Sequence, residues 1–343
     1  MKTIGGMFKI EETKPQENGF FSKLQSGDDD LVFMMSGRCG IYHCLMDNLA
    51  NDTRRIAYVP IYTCETVLAP FVKAGYTLKF YDIDENLCPV FDPQAIDEIS
   101  LLSLCGYYGF CSYDRSFVRA CKERNITIFE DVTHSVFSTD GIDPLCDYVA
   151  GSFRKWMGIN CGGFALKRHG KFADPALSVD PTHLSLRRKA VETSGNEAFW
   201  EGEMLLRRMF DRHASDEESE YLLRHTDFER IVSARRANFA AILAGLSNDL
   251  HGVRPVFSRL TETAVPSHFV AYADEREHLQ NYLSGLNIRS TVYWPVGPEV
   301  NLDGYDTAKF IYDHIVAIPC DQRYNAEDMA RISDALNKYR PNC

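Results

Sequence analysis

The stretch that decides the fold is DYVAGSFRKWMGINCGGFAL, Asp147 to Leu166. An apolar run ends in Gly151-Ser152-Phe153. Two cations follow, Arg154 and Lys155, then Trp156, and a Gly162-Gly163 pair opens a second apolar run. Lysine normally prefers solvent, and a surface loop with two solvated cations is the commoner reading of such a pair. A lysine at the end of a buried strand has another use. Partial desolvation lowers its pKa and makes it an amine nucleophile able to form a Schiff base. Ser152, three residues earlier, offers a hydroxyl that could hold a phosphate.

Strand-like and helix-like segments alternate outward from this stretch. RIAYVPIYT, TLKFYDID, LLSLCGYYG, ITIFEDVTH, DYVAGSF and GGFALKRHG read as strands. CETVLAPFVKAG and DRSFVRACKERN read as helices, and FDPQAIDEIS as a helix start with Asp92 as cap and Pro93 in the first turn. Strands separated by helices of this length imply crossover units and a mostly parallel sheet, and several near-continuous apolar strands fit burial on both faces. From Leu184 to about Leu246 the chain is charged and helical. A second mixed segment follows, with AVPSHFVAYAD, the helix EREHLQNYLSGL, and a closing strand and helix in IVAIPCDQRYNAEDMARISDALNKYR. The expected organisation is a weakly structured arm over 1–30, a large domain with a helical linker region over 31–245, and a small C-terminal domain over 246–343.

Composition narrows the classes. The 343 residues suit one large domain plus a smaller one, and 45% hydrophobic with 25% charged residues is ordinary for a globular protein. A net charge of -11 argues against a general nucleic-acid binder, while a local basic phosphate site stays open. No apolar run has transmembrane length and no signal-peptide pattern opens the chain, so no membrane association is expected. The eleven cysteines form no CxxC; Cys39 and Cys44 are five apart, Cys105 and Cys111 six apart. No metal site is expected, and the thiols read as reduced in a cytoplasm.

Ligands of open parallel sheets sit at the carboxyl ends of strands. Four features fall there. SGRCGIYHCL (36–45) places Gly37, Arg38 and Cys39 at a turn into a helix, whose N-terminus can hold a phosphate; a simple turn reads as well from that segment alone. In ITIFEDVTHS (126–135), Asp131 could hold a pyridinium N–H, or act only as a cap or a satisfied polar pair. Lys155 is the third. In PIYTCETVLAP (60–70), Tyr62, Thr63 and Cys64 face the same crevice, with strand-end packing the simpler reading. Together, a phosphate anchor, an acid for a ring nitrogen and a Schiff-base lysine, each after a strand, are what pyridoxal 5'-phosphate (PLP) requires.

These motifs resemble those of the DegT/DnrJ/EryC1/StrS family of PLP-dependent aminotransferases, in an outlying branch. The likeness runs through SGRCGIYHCL, VPIYTCETVLAPFVKAGYTLKFYDID, CGYYGF, FEDVTHS, SFRKWMGINCGGFAL and IVAIPCDQRYNAEDMARISDAL. It implies fold type I: a large α/β domain with a mostly parallel seven-stranded sheet flanked by helices, and a smaller C-terminal α/β domain. It implies that Lys155 tethers the cofactor, Asp131 pairs with the pyridine nitrogen, His134 stands near the phenolic oxygen, and Ser152 holds the phosphate with the backbone N–H groups of Arg38 and Cys39. The chain departs from the family twice. SFRK is two residues shorter between serine and lysine, and Cys64 stands where an aromatic ring commonly stacks, so Tyr62 or another ring is expected to cover that face. Tyr107, Tyr108, Tyr293 and Trp294 are expected to line the acceptor pocket, with core packing equally open. The implied function is transfer of an amino group, from glutamate by resemblance, to a keto acceptor such as a nucleotide-linked keto-sugar, in a homodimer with the active site at its interface. The alternatives are a PLP-dependent lyase or dehydratase, and a PLP-binding protein without turnover that serves as a sensor or assembly partner.

Overall fold

A computed structural model describes residues 2–342. In chain order the elements are α1 (Phe20–Leu24), β1 (Asp30–Met34), α2 (Gly37–Asn51), β2 (Ile56–Pro60), α3 (Glu65–Lys73), β3 (Thr77–Ile83), β4 (Pro89–Val90), β5 (Leu101–Cys105), α4 (Ser116–Glu123), β6 (Thr127–Asp131), β7 (Tyr148–Ser152) and β8 (Gly163–Lys167). Then come α5 (Pro181–Thr193), α6 (Asn196–Met209), α7 (Glu217–His225), α8 (Phe228–Gly245), β9 (Val253–Pro255), β10 (Phe269–Ala273), α9 (Arg276–Gly285), α10 (Asp306–His314), β11 (Ile315–Ile318) and α11 (Ala326–Lys338).

The large sheet has the order β1-β8-β7-β6-β5-β2-β3-β4. β3, β2, β5, β6 and β7 run parallel, while β8 is antiparallel to β7, β1 to β8 and β4 to β3. The sheet has eight strands rather than the expected seven. The addition is the two-residue β4 at the edge, where Pro89 has no N–H to offer a further neighbour. Every residue of β7 is buried, as the continuous apolar run requires of a strand covered on both faces. A second, antiparallel sheet has the order β11-β10-β9, and α8 packs against α11 on that side.

One local expectation changes. FDPQAIDEIS forms a 3-10 turn, Pro93–Asp97; Asp92 does cap it, accepting from Gln94 N at 2.9 Å, but β5 begins four residues later and leaves no room for a longer helix. Residues 2–29 carry one short helix of their own and are tied to the rest of the chain. Single bridges join Ile4 to Ile288, Ile10 to Gly158 and Thr13 to Thr226, and Phe21 is buried edge-on against Phe33 and Phe153. Ten free cysteines, seven of them buried, stand among the described residues, as reduced apolar packing predicts. Among the described residues no helix is long and apolar enough to cross a membrane.

Candidate active site

The parallel register sets the site. Asp131 ends β6 beside Ala150 of β7, so Asp131 and Ser152 emerge at the same sheet edge. β7 then enters a 3-10 turn, Phe153–Lys155, capped by Ser152 Oγ, which accepts from Arg154 N at 3.4 Å. The turn carries Lys155 over the strand ends. Buried Trp156 locks it by donating Nε1–H to the Thr133 carbonyl at 2.9 Å.

Gly163 explains the glycine pair. It lies opposite Ser152, and a Cβ there would fall 2.1 Å from the Ser36 carbonyl carbon. A Cβ on Gly40 would fall 2.4 Å from the Phe164 carbonyl oxygen. Without these side chains the N-terminus of α2 sits directly on β8. Ser36 caps that helix, accepting from Cys39 N at 3.2 Å, while the amides of Gly37 and Arg38, as first-turn groups, have no intrahelical acceptor. Here the sequence expectation is corrected: the Cys39 amide already serves the cap, and its buried thiol bonds Ser36 Oγ at 3.2 Å.

A cavity of about 210 Å³ joins these pieces. Asp131, Ser152 and Lys155 line it, as do Gly37 and Arg38, Thr63 and Cys64, His134 and Trp294. Asp131 is buried; both its hydrogen bonds, from Thr133 N at 2.9 Å and Thr133 Oγ1 at 2.6 Å, fall on Oδ1. Burial pushes its carboxyl up, against those bonds and the Lys155 charge, which pull it down. Lys155 Nζ lies 4.9 Å from the Tyr293 ring centre.

His134 closes a chain of neutral groups. Tyr293 Oη meets His268 Nε2 at 2.9 Å, His268 Nδ1 meets Ser267 Oγ at 3.2 Å, and Ser267 Oγ meets His134 Nδ1 at 3.3 Å. Burial, then nearby cations, holds both imidazoles well below their usual range, so both are uncharged at neutral pH. Run from the tyrosine, the donations end with a proton on His134 Nε2; run from His134, they end on the Tyr293 hydroxyl and leave His134 Nε2 bare. In either order His134 Nε2 is buried without a partner.

The other expected aromatics lie elsewhere. Tyr62, Tyr107 and Tyr108 are fully buried and do not line the cavity; Tyr62 and Tyr107 stack with ring centres 5.5 Å apart, and Tyr62 Oη meets Tyr108 Oη at 3.2 Å. Tyr62 therefore cannot cover a cofactor ring, and of the four residues expected around the acceptor only Trp294 lines the cavity. Cys64 does line it, with Sγ 2.9 Å from Thr66 Oγ1. Sequence reading missed the wall supplied by α5 and α6, where Arg187, Phe199 and Glu203 stand. No motif marks them; the only signal was the high charge of the segment.

The residues present fit PLP. A carboxylate with one unengaged oxygen, a lysine, orphaned buried guanidinium donors on Arg38 and Arg187, and an unpartnered ring nitrogen of His134 all face one cavity. Donors buried without partners are costly unless a ligand satisfies them.

No family model matches the chain, and no curated protein matches it in sequence. Solved structures match almost its whole length. Spr1654 of Streptococcus pneumoniae, assigned as a sugar aminotransferase and solved in its PMP form, is 14% identical with a TM-score of 0.68, covering 98% of this chain and 97% of that one. PseC of Helicobacter pylori, an aminotransferase involved in the biosynthesis of pseudoaminic acid, is 10% identical at TM-score 0.67, covering 98% and 100%. A DegT DnrJ EryC1 StrS aminotransferase of Brucella abortus is 13% identical at TM-score 0.65, covering 98% and 91%. Likeness at such identity is likeness of fold: with its large mostly parallel sheet and small antiparallel one, the chain has fold type I of the PLP-dependent transferases.

Proposed function

We propose that the protein is a PLP-dependent aminotransferase that moves an amino group from an amino acid, glutamate by family resemblance, to a keto group of a sugar. The observation that carries this reading is the convergence of Asp131, Lys155 and an anion-seeking helix N-terminus on one cavity. The sugar acceptor is supported by the described roles of Spr1654 and PseC.

Bound there, PLP supplies an aldehyde that condenses with amines and a ring that withdraws electrons. Lys155 is the cavity's one lysine among the described residues. It would hold the aldehyde carbon through Nζ and, once a substrate amine displaces it, take up and return a proton at Nζ as general base and acid. Asp131 would hold the ring N–H on the oxygen that Thr133 leaves free, and that positive charge offsets the burial of its carboxylate. His134 Nε2–H would meet the phenolic oxygen. Ser152 and the Gly37 and Arg38 amides would hold the phosphate. Trp294 and Phe199 would help keep water from the reacting atoms.

The same reading includes a homodimer in the cytoplasm, with the cavity at its interface. It is supported by Trp200 and Met204, 61% and 50% exposed one turn apart on α6, beside the cavity-lining Phe199 and Glu203. A second copy of the chain would cover them.

Borohydride reduction of the PLP-loaded protein followed by peptide mapping tests the assignment: the label belongs on Lys155, and a label elsewhere or nowhere overturns it. In a separate, unreduced sample of the PLP-loaded protein, glutamate should convert the cofactor's visible band to that of the aminated form. A band that stays put with every amino donor overturns transfer in favour of elimination chemistry or binding without turnover.

A further inference from the structure

Lys155 and His134 follow different strands, yet one side chain reaches the backbone beside both. Arg235 on α8 is fully buried. Its Nη2 donates to the Trp156 carbonyl at 3.1 Å, one residue after Lys155, and its Nη1 donates to the Ser267 carbonyl at 2.8 Å. Ser267 Oγ is the group that meets His134 Nδ1 at 3.3 Å. The remaining donor, Nε, meets Oε1 of Gln322, just past β11, at 2.9 Å. Gln322 turns this grip into a clamp: its Nε2 donates to the same Trp156 carbonyl at 2.7 Å and to Glu11 Oε1 at 2.6 Å. Trp156 is held at both ends, its carbonyl by Arg235 and Gln322 and its indole N–H by the Thr133 carbonyl, with the Arg235 guanidinium 4.7 Å from the indole centre. The N-terminal arm backs the turn. Gly158 N donates to the Lys9 carbonyl at 3.2 Å, and a Cβ on Gly158 would fall 2.4 Å from that carbonyl. Neither Arg235 nor Gln322 lines the cavity. Asp321, the acid whose field reaches Arg235, is engaged by Arg323 at 2.7 Å, and burial lowers Arg235 from its ordinary range. A buried charge is costly where apolar packing would serve, but a planar fork with donors in three directions fixes distances that an apolar side chain does not.

We propose that Arg235, with Gln322, is the positioning residue that sets the spacing of Lys155 and His134, by holding the carbonyls of Trp156 and Ser267 on one rigid guanidinium. The clamp stands on this chain's own hydrogen bonds; its consequence for amino transfer rests on the proposed function. Lys155 Nζ and His134 Nε2 would meet the same cofactor, so an error in their separation is an error in the reacting geometry. The two carbonyls belong to separate segments, the turn after β7 and the approach to β10, and Gln322 follows β11. The clamp therefore ties the small sheet to the turn that carries the lysine. It touches no substrate, so it acts on rate rather than on affinity.

Hydrogen exchange on the cofactor-free protein reads the clamp itself. In Arg235→Gln the amides of Trp156, Met157 and Gly158 should exchange about tenfold faster or more, the loss expected of bonds from a charged group, while those of β6 stay within about twofold. Arg236→Gln is the control. Arg236, next on α8, donates to the carbonyls of Thr261 and Ala264, and its loss should spare the amides of the lysine turn. In the PLP-loaded protein, conversion of the visible band by saturating glutamate should be about 10–100-fold slower in Arg235→Gln, with the half-saturating glutamate concentration within about twofold of the parent. Arg235→Lys keeps the charge without the fork and should stay about tenfold slow. Gln322→Met, a milder change, should move both readouts in the same direction, and it carries the test where Arg235→Gln does not fold. Unchanged exchange at the three amides overturns the clamp, and so does full recovery of the rate by Arg235→Lys. Equal losses of rate and glutamate affinity would mean a collapsed site and overturn positioning. Faster exchange at those amides in a protein whose Lys155 borohydride never labels would keep the clamp and sink the aminotransferase. A labelled, active parent whose exchange ignores Arg235 would do the reverse.

Discussion

The cavity has two kinds of wall. On one, Asp131, Ser152 and Lys155 stand at the ends of adjacent strands, and the first two are fixed by bonds from residues two positions away: Thr133 N and Oγ1 onto Asp131, Arg154 N onto Ser152. On the other, Arg187 and Glu203 sit sixteen residues apart on α5 and α6, meet at 3.6 Å, and leave hydrogen-bonding atoms unpartnered. The first wall is positioned before any ligand arrives, with one Asp131 oxygen left open, and suits chemistry, which needs fixed atoms. The second is unsatisfied and suits recognition, because its unpartnered donors are met when a ligand comes. The contrast predicts that mutations in the two walls fail differently, one in rate and the other in affinity.

The largest effect tests the first wall. Lys155→Ala should slow amino transfer by about 10²–10⁴-fold, the range for a positioned general base, in single-turnover kinetics, while phosphate affinity by calorimetry stays at the parent's level. A parallel loss of phosphate binding would erase the distinction between the walls. Asp131→Asn comes next. Loss of the charged partner should cost about 10–100-fold in the rate of the glutamate half-reaction, as for a hydrogen bond to a charged group, again sparing phosphate.

Gly163→Ala tests the contact that joins the strand-end wall to α2. Its Cβ would fall 2.1 Å from a backbone atom that cannot rotate away, so overpacking should cost about 1–3 kcal/mol, read as a lower melting temperature, and phosphate should bind more weakly as the α2 amides move. Unchanged stability and binding would show that α2 is not seated by this approach.

Ser267→Ala cuts the chain that sets the His134 proton. The expected sign is a shift in the apparent pKa of the PLP-loaded protein's visible band with a small change in turnover, because a freed imidazole can present a bare nitrogen in place of N–H. An unchanged titration would show that His134 does not meet the cofactor.

The smallest effect sets a scale for a buried unpartnered group outside both walls. His43 on α2, its ring 4.3 Å from that of Phe172 and both nitrogens unpartnered, is pushed down to about 4 by burial. The unfolded chain protonates it near 6.5, so its contribution to stability is lost as pH falls from about 6.5 towards 4. Glu130, buried and pushed up to about 7, titrates with the opposite sign in the same interval, so the difference between parent and variant is the readout. The melting temperature at pH 5, taken relative to that at pH 7, should sit higher in His43→Gln than in the parent, and an unchanged offset would break the assignment.

The strand-end wall was legible because its chemistry is local. A carboxylate, a serine and a lysine placed just after apolar runs, with glycines where backbones must touch, are decided by strand period and turn geometry over a few residues. The same locality made the Cys39 amide a reasonable phosphate ligand until Ser36 took it, a choice between two acceptors that sequence does not encode. Tyr62 shows the limit from the other side. Its place after β2 is legible, yet its burial in a layer with Tyr107, Tyr108 and Tyr312 depends on four segments meeting.

Sequence by itself determined the alternation of strands and helices, the strand-end residues and hence the fold, because hydrophobic period and glycine sterics act along the chain. Tertiary structure alone decided which charges face each other. Arg187 and Glu203 read as ordinary solvated helix charges until α5 and α6 pack together and over the cavity, and only then does a pair without a sequence motif become a buried guanidinium waiting for an anion.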